Sequence, residues 1–429
     1  MERLIVEGGY ALHGEITPTG NKNSAQPMLA ACLLTDQPVT LHNVPDIADV
    51  RTLLNILRGM GVEVDASELS TTHTITLQAH VVDRQPDRSL GSQVRGSILM
   101  AGPLLARTKY AVVGQPGGDA IGRRRIDTHL LALQALGATV EVDDDQYRMH
   151  AERLAGADIF LDEASVTGTE QAILAAVLAE GETTIYNAAA EPHVQDLCHM
   201  LNGLGAQISG IGTNTLAIQG VSRLYRGEHT ILSDHMEVGS FIGLAAVTGG
   251  ELRIRKAVPE HMRMSRLVFK KLGVEVRVDG DDIVVPGGQD LKVAYDVHEA
   301  VPKIDDGIWP AFPSDLMSIA LVTATQSEGT VLIFEKMFEN RLFFVDRLIS
   351  MGARIVLCDP HRAVVVGKVK LRGEDVSSPD IRAGMALLQA ALCAKGESTI
   401  FNVGQIDRGY QAIEKRLEAL GAKIRRVSE

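Results

Sequence analysis

Apolar and polar positions along the chain alternate between two kinds of helical segment, each leading into a short strand. The first kind is apolar on nearly every face and rich in small residues: Ala25–Leu34, Gly96–Ala106, Ala172–Ala179, Phe241–Thr248, Leu316–Thr325 and Ala383–Ala394. Such a pattern predicts helices buried on all sides. The second kind is apolar on one face only, as in Val50, Leu53, Leu54, Leu57 and Met60, or Val194, Leu197, Cys198, Leu201 and Leu204. Both sets follow helical spacing. Strands are clearest at Thr183–Asn187, Glu251–Ile254, Thr330–Ile333 and Ser398–Asn402.

Every half-exposed segment ends in Leu-Gly or Met-Gly followed by Ala or Val. The six are Met60-Gly61-Val62, Leu136-Gly137-Ala138, Leu204-Gly205-Ala206, Leu272-Gly273-Val274, Met351-Gly352-Ala353 and Leu420-Gly421-Ala422. Successive glycines lie 76, 68, 68, 79 and 69 residues apart. Each sits where a helix C-terminus calls for a left-handed residue. A period near 70 is too long for a solenoid and suits a small α/β unit used six times. One unit reads as buried helix, strand, half-exposed helix, glycine stop and further strand.

The 429 residues divide naturally into two groups of three units. An apolar content of 45% is globular, and no apolar run reaches the ~18 residues that would span a bilayer. The start, Met1–Val6, reads as a strand rather than a secretion signal. Cys32, Cys198, Cys358 and Cys393 show no paired spacing, which fits core thiols in a reducing, cytoplasmic setting. His193, Cys198 and His199 do not place three metal ligands on one helical face. The net charge of −12 argues against a nucleic-acid partner.

Against that acidic background, Arg123-Arg124-Arg125 directly follows Pro116-Gly117-Gly118-Asp119-Ala120-Ile121-Gly122. A charge run is usually solvated, but three glycines beside it suit a mobile lid that approaches an anion closely. Polar residues also introduce the buried segments: Asn21-Lys22-Asn23, Arg95, Ser165 through Glu170, Asp234, Ser314-Asp315 and Asp380-Ile381-Arg382. Ser, Asn and Asp at helix starts are first of all caps. Lys22, Arg95 and Arg382 are different, because a cation there opposes the helix dipole. Violations at equivalent repeat positions point to ligand contacts.

The motifs Gly20-Asn21-Lys22-Asn23, Gly102-Pro103-Leu104, Pro116-Gly117-Gly118, Ser165-Val166, Phe338-Glu339-Asn340-Arg341 and Ile406-Asp407-Arg408-Gly409-Tyr410 together carry a family resemblance. The chain resembles the UDP-N-acetylglucosamine 1-carboxyvinyltransferases along its whole length. The resemblance implies an α/β fold of two domains, the inside-out α/β barrel of enolpyruvyl transferases, with six βαβαββ-type repeats, three per domain. Residues 22–230 would form the first domain, carrying the lid loop, and 1–21 with 231–429 the second. Ligands would bind in the cleft and close it. The implied reaction joins phosphoenolpyruvate to the 3-hydroxyl of UDP-N-acetylglucosamine with release of phosphate, by addition and elimination, without cofactor or metal. It opens peptidoglycan synthesis and so serves the cell wall, cell shape and division.

By resemblance, Lys22, Arg124 and Arg408 contact phosphoenolpyruvate, with Arg95 close to both ligands. Asp315 is the expected general base at the sugar hydroxyl and Asp119 the expected general acid. Lys22 and Arg408 are expected to be catalytic as well. Asn23, Ser165, Val166, Met337 and the stretch Arg124, Arg125, Ile126, Asp127 and Thr128 match nucleotide-sugar contacts. Glu339 and Arg341, from the Phe338–Arg341 motif, join the expected substrate contacts, and Asp380 and Arg382 are expected near phosphoenolpyruvate. The lid departs from the common pattern: most members carry a cysteine, the residue alkylated by fosfomycin, where this chain has Asp119. Insensitivity to fosfomycin is the expectation, with Asp119 acting as acid mainly when substrates are bound. Arg125 and Ala48 also replace the usual proline and lysine. The alternative is a catalytically silent paralogue that binds nucleotide sugar or phosphoenolpyruvate. Such a protein would be expected to lose Asp315, Lys22 or Arg408 first, and all three are present. The oligomeric state is left open by the sequence.

Overall fold

The computed structural model describes residues 2–82 and 85–428. Met1, the first residue of the strand expected at Met1–Val6, lies outside them; the strand runs Glu2–Gly8. The six buried helices form where the apolar segments predict them. They are Lys22–Ala31, Ala101–Thr108 after a 3-10 turn at Arg95–Met100, Val166–Ala176, His235–Thr248, Met317–Gln326 and Ile381–Cys393. Six half-exposed helices alternate with them: Ala48–Gly59, Asp127–Ala135, Pro192–Gly203, Arg263–Lys271, Val345–Ser350 and Ile413–Ala419.

All six half-exposed helices end in the same way. In the first, Gly61 N–H bonds Arg58 C=O at 3.0 Å and Val62 N–H bonds Leu57 C=O at 3.1 Å, with Gly61 at φ +87°. This is a Schellman closure, which satisfies two carbonyls that the helix end would otherwise orphan. Gly137, Gly205, Gly273, Gly352 and Gly421 make the equivalent pair of bonds, all at positive φ. The chain then turns directly into a strand, which is why the glycine marks the repeat.

Each repeat contributes one small sheet, and six occur among the described residues. Backbone contacts divide the chain into two compact units with separate hydrophobic cores. One unit comprises Gly20–Gly118 and Arg124–Leu232; the other comprises Met1–Thr19, Asp119–Arg123 and Ser233–Glu429. In the second unit, Glu2–Gly8 lies between Gly396–Phe401 and Lys423–Ser428, antiparallel to both. Five of the sheets carry one parallel edge strand, such as Gly14–Ile16 beside Leu252–Ile254. Three of these edges, Asp158–Phe160, Lys303–Asp305 and Asp375–Ser377, precede a buried helix of the same unit and are the entry strands of the βαβαββ pattern. The segment Asp119–Arg123, expected within the 22–230 domain, groups instead with the second unit. Its bonds explain this: Ile121 C=O accepts from Asn340 N–H at 2.9 Å, and Arg123 N–H donates to Glu339 at 3.2 Å.

Candidate active site

In the first unit, two of the cations expected to hold an anion, Lys22 and Arg95, open helical segments, and Arg124 lies in the loop before Asp127–Ala135. Asn21 caps Lys22–Ala31, accepting from Asn23 N–H at 2.8 Å and Ser24 N–H at 3.0 Å. Asn23 follows on the first turn. Lys22 is buried, and its Nζ lies 2.8 Å from the Asp49 carboxylate at the start of the next helix. This pairing offsets both the desolvation of the amine and its position against the helix dipole. Asp49 is a residue that motif reading missed; its place beside Ala48 reads locally as a helix-start acid.

Arg95 opens its 3-10 turn and donates to the backbone carbonyls of Arg124 at 3.2 Å and Arg125 at 2.7 Å. Burial, and then the neighbouring Arg124 charge, push its pKa down to about 10. Gly118 is at φ +123°, and a Cβ there would stand 2.6 Å from Arg124 Nη1. The glycine therefore lets the loop backbone lie against that guanidinium. Arg125 is exposed and pairs with Asp127 at 2.9 Å, while Ile126 is buried. Thr128 donates to Asp162 at 2.6 Å, and His129, from the same turn, meets Thr167 at 3.0 Å. Burial and the Arg95 charge hold His129 neutral, with its pKa down to about 3. Ser165 is the cap of Val166–Ala176, accepting from Gly168 N–H at 3.2 Å. One region of this unit thus gathers Arg95, Arg124, the Arg125–Thr128 turn and, through His129 and Thr167, the Ser165–Val166 helix start.

In the second unit, Asp315 is the centre of a charged cluster. Its Oδ1 accepts from Arg341 Nη2 at 2.8 Å, and its Oδ2 accepts from Arg382 Nε at 3.0 Å. Arg341 and Arg382 are 1% and 4% exposed, whereas the Asp315 side chain keeps 28% of its surface open. Burial opposes the charge on each guanidinium, but the adjacent Asp315 carboxylate overcomes it and holds both protonated. Arg382 Nη1 also reaches the Tyr410 hydroxyl at 3.3 Å, and that hydroxyl lies 2.9 Å from Ser240. Asp380 caps Ile381–Cys393 through Arg382 N–H and Ala383 N–H. Burial raises its pKa, against the pull of Arg341.

Arg408 Nη1 lies 2.6 Å from Asp119 Oδ1 and 2.9 Å from Gln405. The loop acid and the expected phosphate ligand are therefore direct partners. Glu339 accepts from Arg123 N–H, and a Cβ at Gly122 would collide with its carboxylate. Met337 is 43% exposed. The structure places Glu339 on the Gly122–Arg123 backbone, and it brings Arg341 and Arg382 together on Asp315. With Lys22 paired to Asp49, Lys22→Ala is expected to cut turnover by orders of magnitude, about 10²-fold or more if the amine carries charge during the reaction. Steady-state kinetics beside a melting curve would check this, since loss of the fold would move both.

A family model described as EPSP synthase (3-phosphoshikimate 1-carboxyvinyltransferase) matches residues 6–417. The crystal structure of the enolpyruvyl transferase NikO from Streptomyces tendae superposes with a TM-score of 0.87 at 25% identity, covering 100% of this chain and 99% of that one. EPSP synthase from Acinetobacter baumannii shares the fold, with a TM-score of 0.76 at 19% identity over 100% of both chains. The fold is that of the enolpyruvyl transferases. Among curated relatives, the UDP-N-acetylglucosamine 1-carboxyvinyltransferase of Bradyrhizobium diazoefficiens is 57% identical over 427 residues, covering 100% of this chain and 98% of the relative. That of Borreliella burgdorferi is 54% identical over 427 residues, covering 100% and 99%. This chain belongs to the UDP-N-acetylglucosamine 1-carboxyvinyltransferase family.

Proposed function

We propose that the chain transfers the enolpyruvyl group of phosphoenolpyruvate to the 3-hydroxyl of UDP-N-acetylglucosamine, releasing phosphate, as the first committed step of peptidoglycan synthesis in the cytoplasm. The observation that carries the residue roles is Asp315, a carboxylate held by two buried arginines yet still open on one side. A base fixed in this way can take the hydroxyl proton as the oxygen attacks C2 of phosphoenolpyruvate. The proton entering at the C3 methylene comes from Asp119, giving a methyl group and a phospho-ketal. Elimination then breaks the C2–O bond to phosphate, removes a proton from the methyl carbon and restores the double bond. Atoms balance to one enol ether and one phosphate.

By resemblance, Lys22, Arg95 and Arg124 of the first unit and Arg408 of the second are assigned to the phosphate and carboxylate of phosphoenolpyruvate, for which guanidinium forks are well shaped. Within the second unit Arg408 is already paired with the acid, Asp119. An incoming phosphate competes with Asp119 for Arg408 and so frees the carboxyl that must deliver the proton. Asn23, Ser165, Val166 and the Arg125–Thr128 turn are assigned to the nucleotide sugar, with Met337, Glu339 and Arg341. Asp380 and Arg382 are assigned to the surroundings of phosphoenolpyruvate.

Phosphate release measured with UDP-N-acetylglucosamine, beside shikimate 3-phosphate, tests the reading. The expected result is release with the nucleotide sugar alone. Turnover with shikimate 3-phosphate and not with the nucleotide sugar would reverse the assignment.

A further inference from the structure

Close to Asp315 lies a pair of carboxyl groups that the assigned chemistry does not use. Asp306 and Glu335 are both fully buried, and their carboxyls are in hydrogen-bonding contact. Glu335 Oε1 accepts from the Ser314 hydroxyl at 2.9 Å and from the N–H groups of Met337 and Phe338 at 3.2 and 3.1 Å. Asp306 Oδ1 accepts from Lys336 N–H at 2.5 Å, whereas its Oδ2 has no donor among the described residues. Two carboxylates this close in a buried site do not both ionise. A proton on Glu335 supplies the donor that Asp306 Oδ2 lacks.

The pair connects to the base by a short path. Ser314 donates to Glu335 and accepts from Arg341 Nε at 3.2 Å; Arg341 Nη2 then binds Asp315. Arg341 Nη1 has no partner among the described residues, so Ser314 and Asp315 are the hydrogen bonds that aim this guanidinium. Glu335 also fixes the backbone of the turn leading to Arg341. We propose that Glu335, held by Asp306 through a shared proton, is a positioning residue that orients Ser314 and Arg341 and thereby sets Asp315 for proton abstraction. The proposal rests on Asp315 being the base.

The charge of the pair matters because of what faces it. Arg341 is the cation that acts on Glu335, and Asp315 and Asp380 both act on it in turn. Lys336 turns its Nζ away to Asp305 at 2.9 Å, and His361 Nδ1 lies 2.7 Å from the Glu335 backbone carbonyl. Burial, then the neighbouring Asp306, push Glu335 up to about 8. Below that pH the pair carries one negative charge and Arg341 is balanced by Asp315. Above it a second charge appears beside Arg341 and competes with Asp315 for the guanidinium. Turnover should therefore fall on the alkaline side. Stability should fall there too: a folded pKa above the unfolded one gives a contribution present at low pH and lost as pH rises through about 8.

The experiment compares kcat–pH profiles of the unmutated enzyme, Glu335→Gln, Glu335→Ala and Asp306→Asn, with both substrates saturating. Glu335→Gln imitates the protonated acid, so it should keep near-normal kcat at neutral pH and lose the alkaline fall. Glu335→Ala should lower kcat by about 10²-fold, as expected when a reacting group is slightly misplaced, with KM for UDP-N-acetylglucosamine nearly unchanged. Should Glu335→Ala fail to fold, Asp306→Asn serves: with one carboxyl left, the pair never carries a second charge, so the alkaline fall should be lost. Infrared difference spectra should show a protonated-carboxyl band that titrates near pH 8 and is missing in Glu335→Gln. An unchanged alkaline fall in Glu335→Gln, or the absence of that band, would overturn the proposal. Full activity in Asp315→Asn would overturn the base reading and the positioning role with it. Loss of activity there, with Glu335→Gln indistinguishable from the unmutated enzyme at every pH, would overturn the positioning role alone.

Discussion

Asp315→Asn should lower turnover by about 10²–10⁴-fold, the usual contribution of a positioned acid–base group. The amide keeps the size of the side chain but cannot accept the hydroxyl proton. The choice of Asn over Ala follows from the cluster. Arg341 and Arg382 are buried, and Asp315 is the carboxylate bound to both. Removing the side chain entirely leaves two buried cations without that counter-charge, which typically costs about 3–5 kcal/mol. Asp315→Ala is therefore expected to melt earlier as well as to react slowly. Kinetics and thermal unfolding on both variants separate the two effects. Near-normal turnover in Asp315→Asn would remove it as the base.

Asp119 carries the second large effect. Asp119→Asn should lose most turnover, because an amide cannot deliver a proton to the methylene carbon. It should also weaken the contact to Arg408, an ion pair in which both side chains are largely shielded. Asp119→Cys should retain measurable activity and gain time-dependent, irreversible inhibition by fosfomycin. A thiolate opens an epoxide far more readily than a carboxylate does. The native thiols do not substitute. Burial pushes Cys32, Cys198 and Cys393 up to about 12, and Cys358 is exposed on a strand outside the loop. Intact mass after incubation with fosfomycin and UDP-N-acetylglucosamine should show an adduct on the Asp119→Cys chain alone. An adduct on the unmutated chain would contradict the assignment.

The fold was legible because its signals are local. A helix apolar on all faces, an amphipathic helix and a left-handed glycine each depend on neighbours within a few residues. Six copies of that local pattern mark the repeats without reference to any long-range contact. The cations at helix starts were legible for the same reason: Lys22, Arg95 and Arg382 break a rule that operates within one turn. Their partners were not. Lys22 meets Asp49, Arg382 meets Asp315, and Arg408 meets Asp119 across 27, 67 and 289 residues of chain, counted from their numbers. Nothing in local periodicity specifies such pairs. The Asp306–Glu335 pair was invisible for a further reason. Glu335 follows a strand and Asp306 a short edge strand, where acidic residues ordinarily read as solvated turn positions; only the parallel pairing of Lys303–Asp305 with Gly329–Phe334 brings them together.

The most direct test of the account runs the reaction in deuterium oxide and weighs the product. Addition followed by elimination passes through a methyl group that gains a solvent proton and then loses one of its three hydrogens. The account predicts one enolpyruvyl ether of UDP-N-acetylglucosamine per phosphate released, with deuterium in its vinyl methylene. Asp315→Asn and Asp119→Asn should both suppress its formation. Phosphate without the ether would contradict the transfer, and an ether free of deuterium would contradict the addition–elimination path.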